Sequence, residues 1–364
     1  MTWPVLLLAR ELDIGGSERQ LTEIAKALDR SRFTPHVGCF FPQGMRGAEL
    51  AAAGIPVVSF PMDSFASRAA IAGAWKLRNY VRREAIRLVH AFDYPLTLFS
   101  VPVTRWLTDA VVLSSQRSHR ELLPRRYRPA IRATDRMARA IVVNCEFVER
   151  HLQVDEGIDG SRIRLCYNGV DLERFRPARP DRAGLTVGVV CALRPEKDLG
   201  TLIQAFAQVR RPEWKLLIAG DGSERGALRE HAAALGLAPD GCFAPARGDT
   251  AEYLRSIDIF VLPSRSEAFS NSLLEAMACG CCPVASRVGG NPELVRHGDN
   301  GMLFEAGNVG QLCRALEELA GNNALRRRLA ARARCTAERF SIAASAQRMG
   351  EIYAEYIEAR ASRR

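Results

Sequence analysis

Short apolar runs alternate with longer stretches of helical period along the whole chain. In the first half, residues 5–9, 36–41, 55–60, 87–91, 110–114 and 140–143 form brief runs rich in Val, Ile, Leu or Phe, and they predict strands. Between them, residues 18–28 and 75–87 space apolar side chains three and four apart and predict amphipathic helices. The second half repeats the rhythm, with strands expected at 186–192, 215–219, 257–262 and 282–286 and helices at 199–209 and 223–235. Such alternation builds parallel sheets covered by helices on both faces. Between residues 175 and 185, Pro177, Pro180 and several charges interrupt both periods. The expected fold is therefore α/β, with two doubly wound domains at 1–175 and 185–341 and a linker at 176–184. A last amphipathic stretch, about 342–361, is long enough to fold back across the joint. Doubly wound sheets take ligands beyond the carboxyl ends of their strands, so function is expected in the loops that follow strands, at a cleft where the two domains face.

Composition narrows the picture. The chain has 364 residues, 47% of them hydrophobic, which excludes a disordered chain. Lys and Arg number 51 against 41 Asp and Glu, a net charge of +10, and only four of the basic residues are Lys. That balance points to an anionic partner: a nucleic acid, a lipid surface or a phosphorylated small molecule. Nucleic acid is set aside, because no helix-turn-helix, zinc-finger or aromatic-studded strand pattern accompanies the charge. The ten cysteines are too dilute for a disulfide framework, and Cys39, Cys191 and Cys282 sit in expected strands as small apolar residues. Cys279-Gly280-Cys281-Cys282 has no second pair at zinc spacing and reads as a tight helix-to-strand turn. No apolar run approaches the roughly 18 residues of a spanning helix, and the first residues lack a basic region and cleavage site. A reducing, cytoplasmic setting is the expectation.

Three loops carry candidate chemistry. The first is Asp13-Ile14-Gly15-Gly16-Ser17-Glu18, between the first strand and a helix, where paired glycines admit a ligand to free amides. Equally, Ser17 capping the helix and Gln20 closing a capping box would account for it. It is not a dinucleotide fingerprint, so no nicotinamide cofactor is indicated. The second loop follows strand 257–262 and reads PSRSEAFSNSLLEAMA, with Glu267 in the loop and Glu275 in the next helix. Two carboxylates around small polar residues, whose amides start a helix, suit a ligand with hydroxyls beside phosphates, namely a nucleotide-sugar. A plain capping box, Ser272-x-x-Glu275, also fits. The third is Ala192-Leu193-Arg194-Pro195-Glu196-Lys197-Asp198, where Arg194 and Lys197 offer cations to a departing diphosphate, or Lys197 pairs locally with Glu196 or Asp198. No D-x-D pair occurs, so fixed cations and helix N-termini rather than a metal are expected to hold that charge.

Taken in order, the motifs resemble those of a family 4 retaining glycosyltransferase of the GT-B fold. They are Gly15-Gly16-x-Glu18, Asn168-Gly169-Val170-Asp171, Arg194-Pro195-Glu196-Lys197, Gly220-Asp221-Gly222, Glu267-x7-Glu275, Gly289-Gly290-Asn291-x-Glu293 and HGDNGMLF, spanning nearly the whole chain. The resemblance implies a nucleotide-diphosphate-sugar donor on the C-terminal domain and a glycan, lipid-linked or small-molecule acceptor on the N-terminal one. It assigns Glu275 to the ribose, Glu267 to the sugar hydroxyls, Lys197 to the diphosphate, backbone at Ser270 and Asn271 to sugar and phosphate, and the stretch up to Arg247 to the base. The family's diphosphate arginine is replaced by Ala192, and Arg194, two residues on along an extended strand, is the expected substitute. His119 is the candidate for the family's histidine near the reacting sugar, with Arg117 as competitor for that position. The implied activity is retaining, metal-free transfer of a hexose-type unit from a UDP- or GDP-sugar to an acceptor hydroxyl in glycan or glycolipid synthesis. A GT-B-like nucleotide-sugar epimerase and a binding protein without turnover are the alternatives. Finally, residues 120–139 hold seven arginines with Leu122, Leu123, Tyr127 and Ile131 interspersed, which suits either an anionic membrane surface or a solvated face.

Overall fold

A computed structural model describes residues 2–13, 15–62, 64–65, 67–177 and 184–362. The chain divides into two compact units. One comprises the chain up to Gly169 together with everything from Ile342 onward, and the other is Val170–Ser341.

The first unit is built on seven strands: β1 (Trp3–Glu11), β2 (Phe33–Phe41), β3 (Val57–Ser59), β4 (Leu88–Ala91), β5 (Val111–Gln116), β6 (Ala140–Val143) and β7 (Ile163–Leu165). They form one parallel sheet in the order β3-β2-β1-β4-β5-β6-β7. β1 lies at the centre and is apolar on both sides because both faces of the sheet are covered. Val5, Leu7 and Ala9 point into one cluster with Leu21 and Ile24, whereas Leu6 and Leu8 point into the other with Phe40, Phe60 and Phe99. The terminal helix Ile342–Ala361 joins the first of these clusters through Met349, Ile352, Tyr353, Tyr356 and Ile357. Those five recur at helical spacing, so the helix can bury one stripe only against this unit's core.

The second unit has six strands: β8 (Leu185–Val190), β9 (Trp214–Ala219), β10 (Phe243–Ala244), β11 (Ile259–Leu262), β12 (Cys282–Ser286) and β13 (Met302–Phe304). They too are parallel, in the order β10-β9-β8-β11-β12-β13. Strands β7, β10 and β13 were not legible in the sequence. Each is two or three residues long and sits at a sheet edge, where half of the pairing partners are missing and no periodicity can develop.

The division between the units falls at Gly169 rather than after residue 175. Beyond it, Val170 N donates to Phe340 O at 2.9 Å, and Arg174 Nη2 donates to Gly248 O at 2.7 Å, which ties this segment to the second unit. Most of the expected linker, residues 178–183, lies outside the described residues. Cys279, Cys281 and Cys282 are all buried at the turn into β12, where Gly280 takes φ 79°.

Candidate functional site

In the second unit the strand order reverses between β8 and β11, the switch point at which open α/β sheets take ligands. After β8 the chain runs over Gly220 and Gly222, where an added Cβ would stand 1.9 Å from Cys191 O and 2.3 Å from Leu193 O. Leu193 is pinned there, its N donating to Asp221 O at 2.8 Å and its O accepting from Glu224 N at 3.0 Å. The Gly220-Asp221-Gly222 motif thus sets the path of the lysine loop. Lys197 closes the 3-10 turn Pro195–Lys197, and Asp198 follows in the left-handed region, φ 48°, its Oδ2 accepting from Thr201 Oγ1 and Arg265 Nε at 3.0 Å each.

Lys197 reaches across the switch point. Its Nζ donates to Glu267 Oε1 at 2.5 Å, and Ser264 Oγ donates to the same oxygen at 2.7 Å. Glu267 Oε2 has no partner among the described residues. Burial pushes the lysine down, but the charge and hydrogen bond of Glu267, with Cys191 and Glu196, outweigh it and hold the ammonium above its ordinary value. Neither of the local partners expected from sequence, Glu196 or Asp198, takes the lysine. The loop bearing Glu267 is braced from behind. Gly289 has φ 54°, and a Cβ there would fall 1.8 Å from Glu267 O. Ser286 Oγ donates to Ser264 O at 2.6 Å.

Helix Asn271–Ala278 begins directly after this loop. Ser270 is its N-cap, the hydroxyl accepting from Leu273 N at 3.3 Å, so Ser272 lies inside the helix and the expected Ser272–Glu275 capping box does not form. Glu275 is buried in the second turn. Lys197, Glu267, Ser264, Ser270 and Asn271 therefore gather at the ends of β8 and β11, with Glu275 one turn further on. Arg194 does not join them. Its N donates to Ala192 O at 3.1 Å, so the chain bends between the two, and the same-face argument for an extended strand fails. The pocket it lines, with Asp198, Gln204, Leu228, His231 and Arg265, includes neither Lys197 nor Glu267. Arg247 stands in the exposed loop after β10, paired with Glu252 at 3.1 Å and stacked on Tyr253.

The first unit reverses its strand order between β1 and β4. Here Gly15 is the N-cap of helix Gly16–Ala27, and the expected Ser17–Gln20 box is absent. Gln20 is buried and used elsewhere, donating to Gly169 O at 2.8 Å and accepting from Gly169 N at 2.9 Å. His119 caps the short turn Arg120–Leu122 and stacks on His151 with ring centroids 4.1 Å apart. Burial first, then His151, pushes it below the ordinary histidine value. Arg117, immediately after β5, has an enclosed guanidinium: Nη2 donates to Asn168 Oδ1 at 2.9 Å, and the Phe92 ring lies 5.0 Å away. Beside it, buried His90 bridges Tyr353 OH and Ser115 Oγ at 2.8 Å each. Sequence reasoning missed this network, since its members lie up to 263 residues apart along the chain.

Against families of known proteins, the model described as Glycosyltransferase Family 4 matches residues 14–174, and that described as Glycosyl transferases group 1 matches residues 173–336. The chain belongs to glycosyltransferase family 4. Among curated relatives, a D-inositol 3-phosphate glycosyltransferase of Mycobacterium ulcerans is 31% identical over 50% of this chain and 43% of its own. The lipopolysaccharide core biosynthesis glycosyltransferase LpsE of Rhizobium meliloti is 38% identical over 37% of this chain and 39% of its own. The chain spans about a quarter to a half of the length of the curated relatives it matches. Anabaena HepE, solved in complex with UDP-glucose, superposes with a TM-score of 0.86 at 23% identity, covering 98% of this chain and 99% of its own. That likeness establishes the GT-B fold for this family member.

The basic segment is only partly a free surface. Arg120 is buried, pairing with Asp135 and with Glu156, the latter at 3.0 Å, and Arg132 reaches the same Glu156 at 2.7 Å. Arg125, Arg126, Arg136 and Arg139 are exposed, as is Leu122. No helix among the described residues is long and apolar enough to cross a membrane.

Proposed function

We propose that this family 4 protein is a retaining glycosyltransferase that moves a hexose-type unit from a UDP- or GDP-sugar to an acceptor hydroxyl in glycan or glycolipid biosynthesis. The observation that carries the reading is the Lys197–Glu267 pair at the switch point of the second unit, 2.5 Å between Nζ and Oε1, beside the start of helix Asn271–Ala278. In this reading Glu275 holds the ribose. Glu267 keeps Oε2 for a sugar hydroxyl, and Lys197 shifts toward the diphosphate as its charge grows. The amides at Ser270 and Asn271 add partial positive charge on the same side. The diphosphate is met by these groups, and the absence of a D-x-D pair from the sequence favours a route without a metal. UDP is the favoured nucleotide, because the HepE structures hold UDP and UDP-glucose.

The first unit takes the acceptor, with Gly15, Gly16 and His119 bordering it. The curated relatives named for D-inositol 3-phosphate support a small polyol. The exposed Arg125, Arg126, Arg136 and Arg139 would hold the protein peripherally on an anionic inner membrane face when the acceptor is lipid-linked. A melting-temperature panel of UDP, GDP, UDP-glucose and GDP-mannose tests the donor half. A shift with one nucleotide series, lost in Glu275→Ala, supports it, and no shift with any of them overturns it.

A further inference from the structure

We infer that Arg117 is an anion-recognition point of the first unit and that the acceptor reaches it through a phosphate group; the inference rests on the acceptor reading above. The observation is a charge without a counter-charge. Among the described residues, no carboxylate pairs with the Arg117 guanidinium. Its direct partners are an amide oxygen, Asn168 Oδ1 at 2.9 Å, and the face of Phe92 at 5.0 Å. Nη1 is enclosed and has no hydrogen-bond partner. The other groups around it, Cys166, Tyr353 and His90, are held neutral by burial: the first two are raised above their ordinary values and the histidine is lowered. Glu18 contributes negative charge to its surroundings.

An arginine in such a place carries the cost of desolvation with no ion pair to offset it. Burial pushes it down to about 10, which still leaves it charged at neutral pH. Contrast buried Arg46, which has Glu49 at 2.7 Å, and buried Arg120, which has two carboxylates. These two have carboxylate partners, and Arg117 has none among the described residues. Arg117 is also the residue directly after β5, at the carboxyl end where a doubly wound sheet takes ligand. A guanidinium presents parallel N–H groups to a tetrahedral oxyanion, and a phosphate brings the missing charge. Asn168 and Phe92 fix the guanidinium plane before the ligand arrives.

The test uses the full chain with UDP at saturation, so that the donor's phosphate site is filled, and follows melting temperature against inorganic phosphate and against glycerol 3-phosphate, with sodium chloride at matched ionic strength and glycerol as controls. A saturable shift with phosphate, absent with chloride, is expected in the wild type. Its midpoint should move at least tenfold upward in Arg117→Gln and less in Arg117→Lys. Without phosphate, Arg117→Gln should melt no lower than wild type, which a purely structural arginine would not allow. A parallel flotation assay with phosphatidylcholine vesicles, with and without phosphatidic acid, separates the sources. Flotation dependent on both phosphatidic acid and Arg117 assigns a lipid-borne phosphate, and a soluble response alone assigns a free one. The inference is overturned if wild type and Arg117→Gln titrate alike in both assays, if sodium chloride at matched ionic strength acts as well as phosphate, or if Arg117→Gln weakens UDP itself, which would move the arginine to the donor. Failure of UDP to bind the wild type strikes the donor reading instead and leaves the phosphate titration interpretable.

Discussion

The two units present a cation at the ligand end of a similar sheet, yet they treat it in opposite ways. Lys197 is neutralised in place, with Glu267 Oε1 at 2.5 Å and Ser264 bracing the carboxylate at 2.7 Å. Arg117 has an amide and a ring for company. A paired cation keeps its site assembled with nothing bound, and the pair can open when a stronger anion competes for the lysine. An unpaired one is destabilising until its ligand arrives, so binding relieves a cost already present in the fold. The difference teaches that the proposed donor side is organised by the protein itself, whereas the proposed acceptor side is completed by the molecule it takes.

The largest expected effect bears on the paired cation. Lys197→Ala should lower kcat by roughly 100- to 1000-fold with a smaller change in donor affinity, measured as nucleotide release with a turning-over donor and acceptor. It should also destabilise the second unit, because Glu267 loses its counter-charge, and an unchanged melting temperature would break the comparison. Next, Glu275→Ala should weaken nucleotide binding by roughly 10- to 100-fold through loss of charge-assisted hydrogen bonds, read by calorimetric titration with UDP. An undiminished affinity would remove Glu275 from the ribose. Smaller again, Tyr353→Phe should cost about 1–2 kcal/mol in denaturant unfolding, since it strips buried His90 Nδ1 of its 2.8 Å partner. Phosphate response should survive in this variant, because Arg117 keeps Asn168.

A last effect, read as a pH slope and not as a loss at one pH, concerns Asp93, the N-cap of helix Tyr94–Leu107, whose oxygens accept from Arg10 N at 2.6 Å and Leu96 N at 3.0 Å. Burial, outweighing these two hydrogen bonds, raises it from 3.8 to about 7. A raised acid binds its proton more tightly when folded, so its contribution is full below the unfolded value and is lost as pH climbs from about 4 to 7. Asp93→Asn should flatten that decline in melting temperature relative to wild type while still capping the helix. Equal slopes in the two proteins would show that the carboxyl is ionised throughout.

Much of the fold was legible because its central strands are buried on both faces. The runs at 140–143 and 282–286 coincide with β6 and β12 for that reason, and helix Leu199–Val209 coincides with its expected span. The terminal helix could be foreseen as amphipathic but not assigned a destination. Its stripe of Met349, Tyr353 and Ile357 states only that something must cover it, and the core of the first unit turns out to be what does. The two expected capping boxes failed alike. Ser17 and Ser272 fit the motif, but Gly15 and Ser270 occupy the cap positions, since a cap is set by where the preceding strand releases the chain.

At the site, sequence alone determined the cast and the order of its motifs: glycines where loops must pass closely, carboxylates at Glu267 and Glu275, and a lysine after β8. These are local requirements of backbone and chemistry, and they are written where they act. Only the tertiary structure decided who meets whom. Lys197 turned from its neighbours to a carboxylate 70 residues away, Arg194 bent out of the alignment that had recommended it, and Arg117 was left facing Asn168 without a counter-charge. The reason is physical. An ion pair depends on distances of a few ångströms set by the crossing of distant loops, and the same charged residue is a solvated bystander or a buried cation according to what those loops bring beside it.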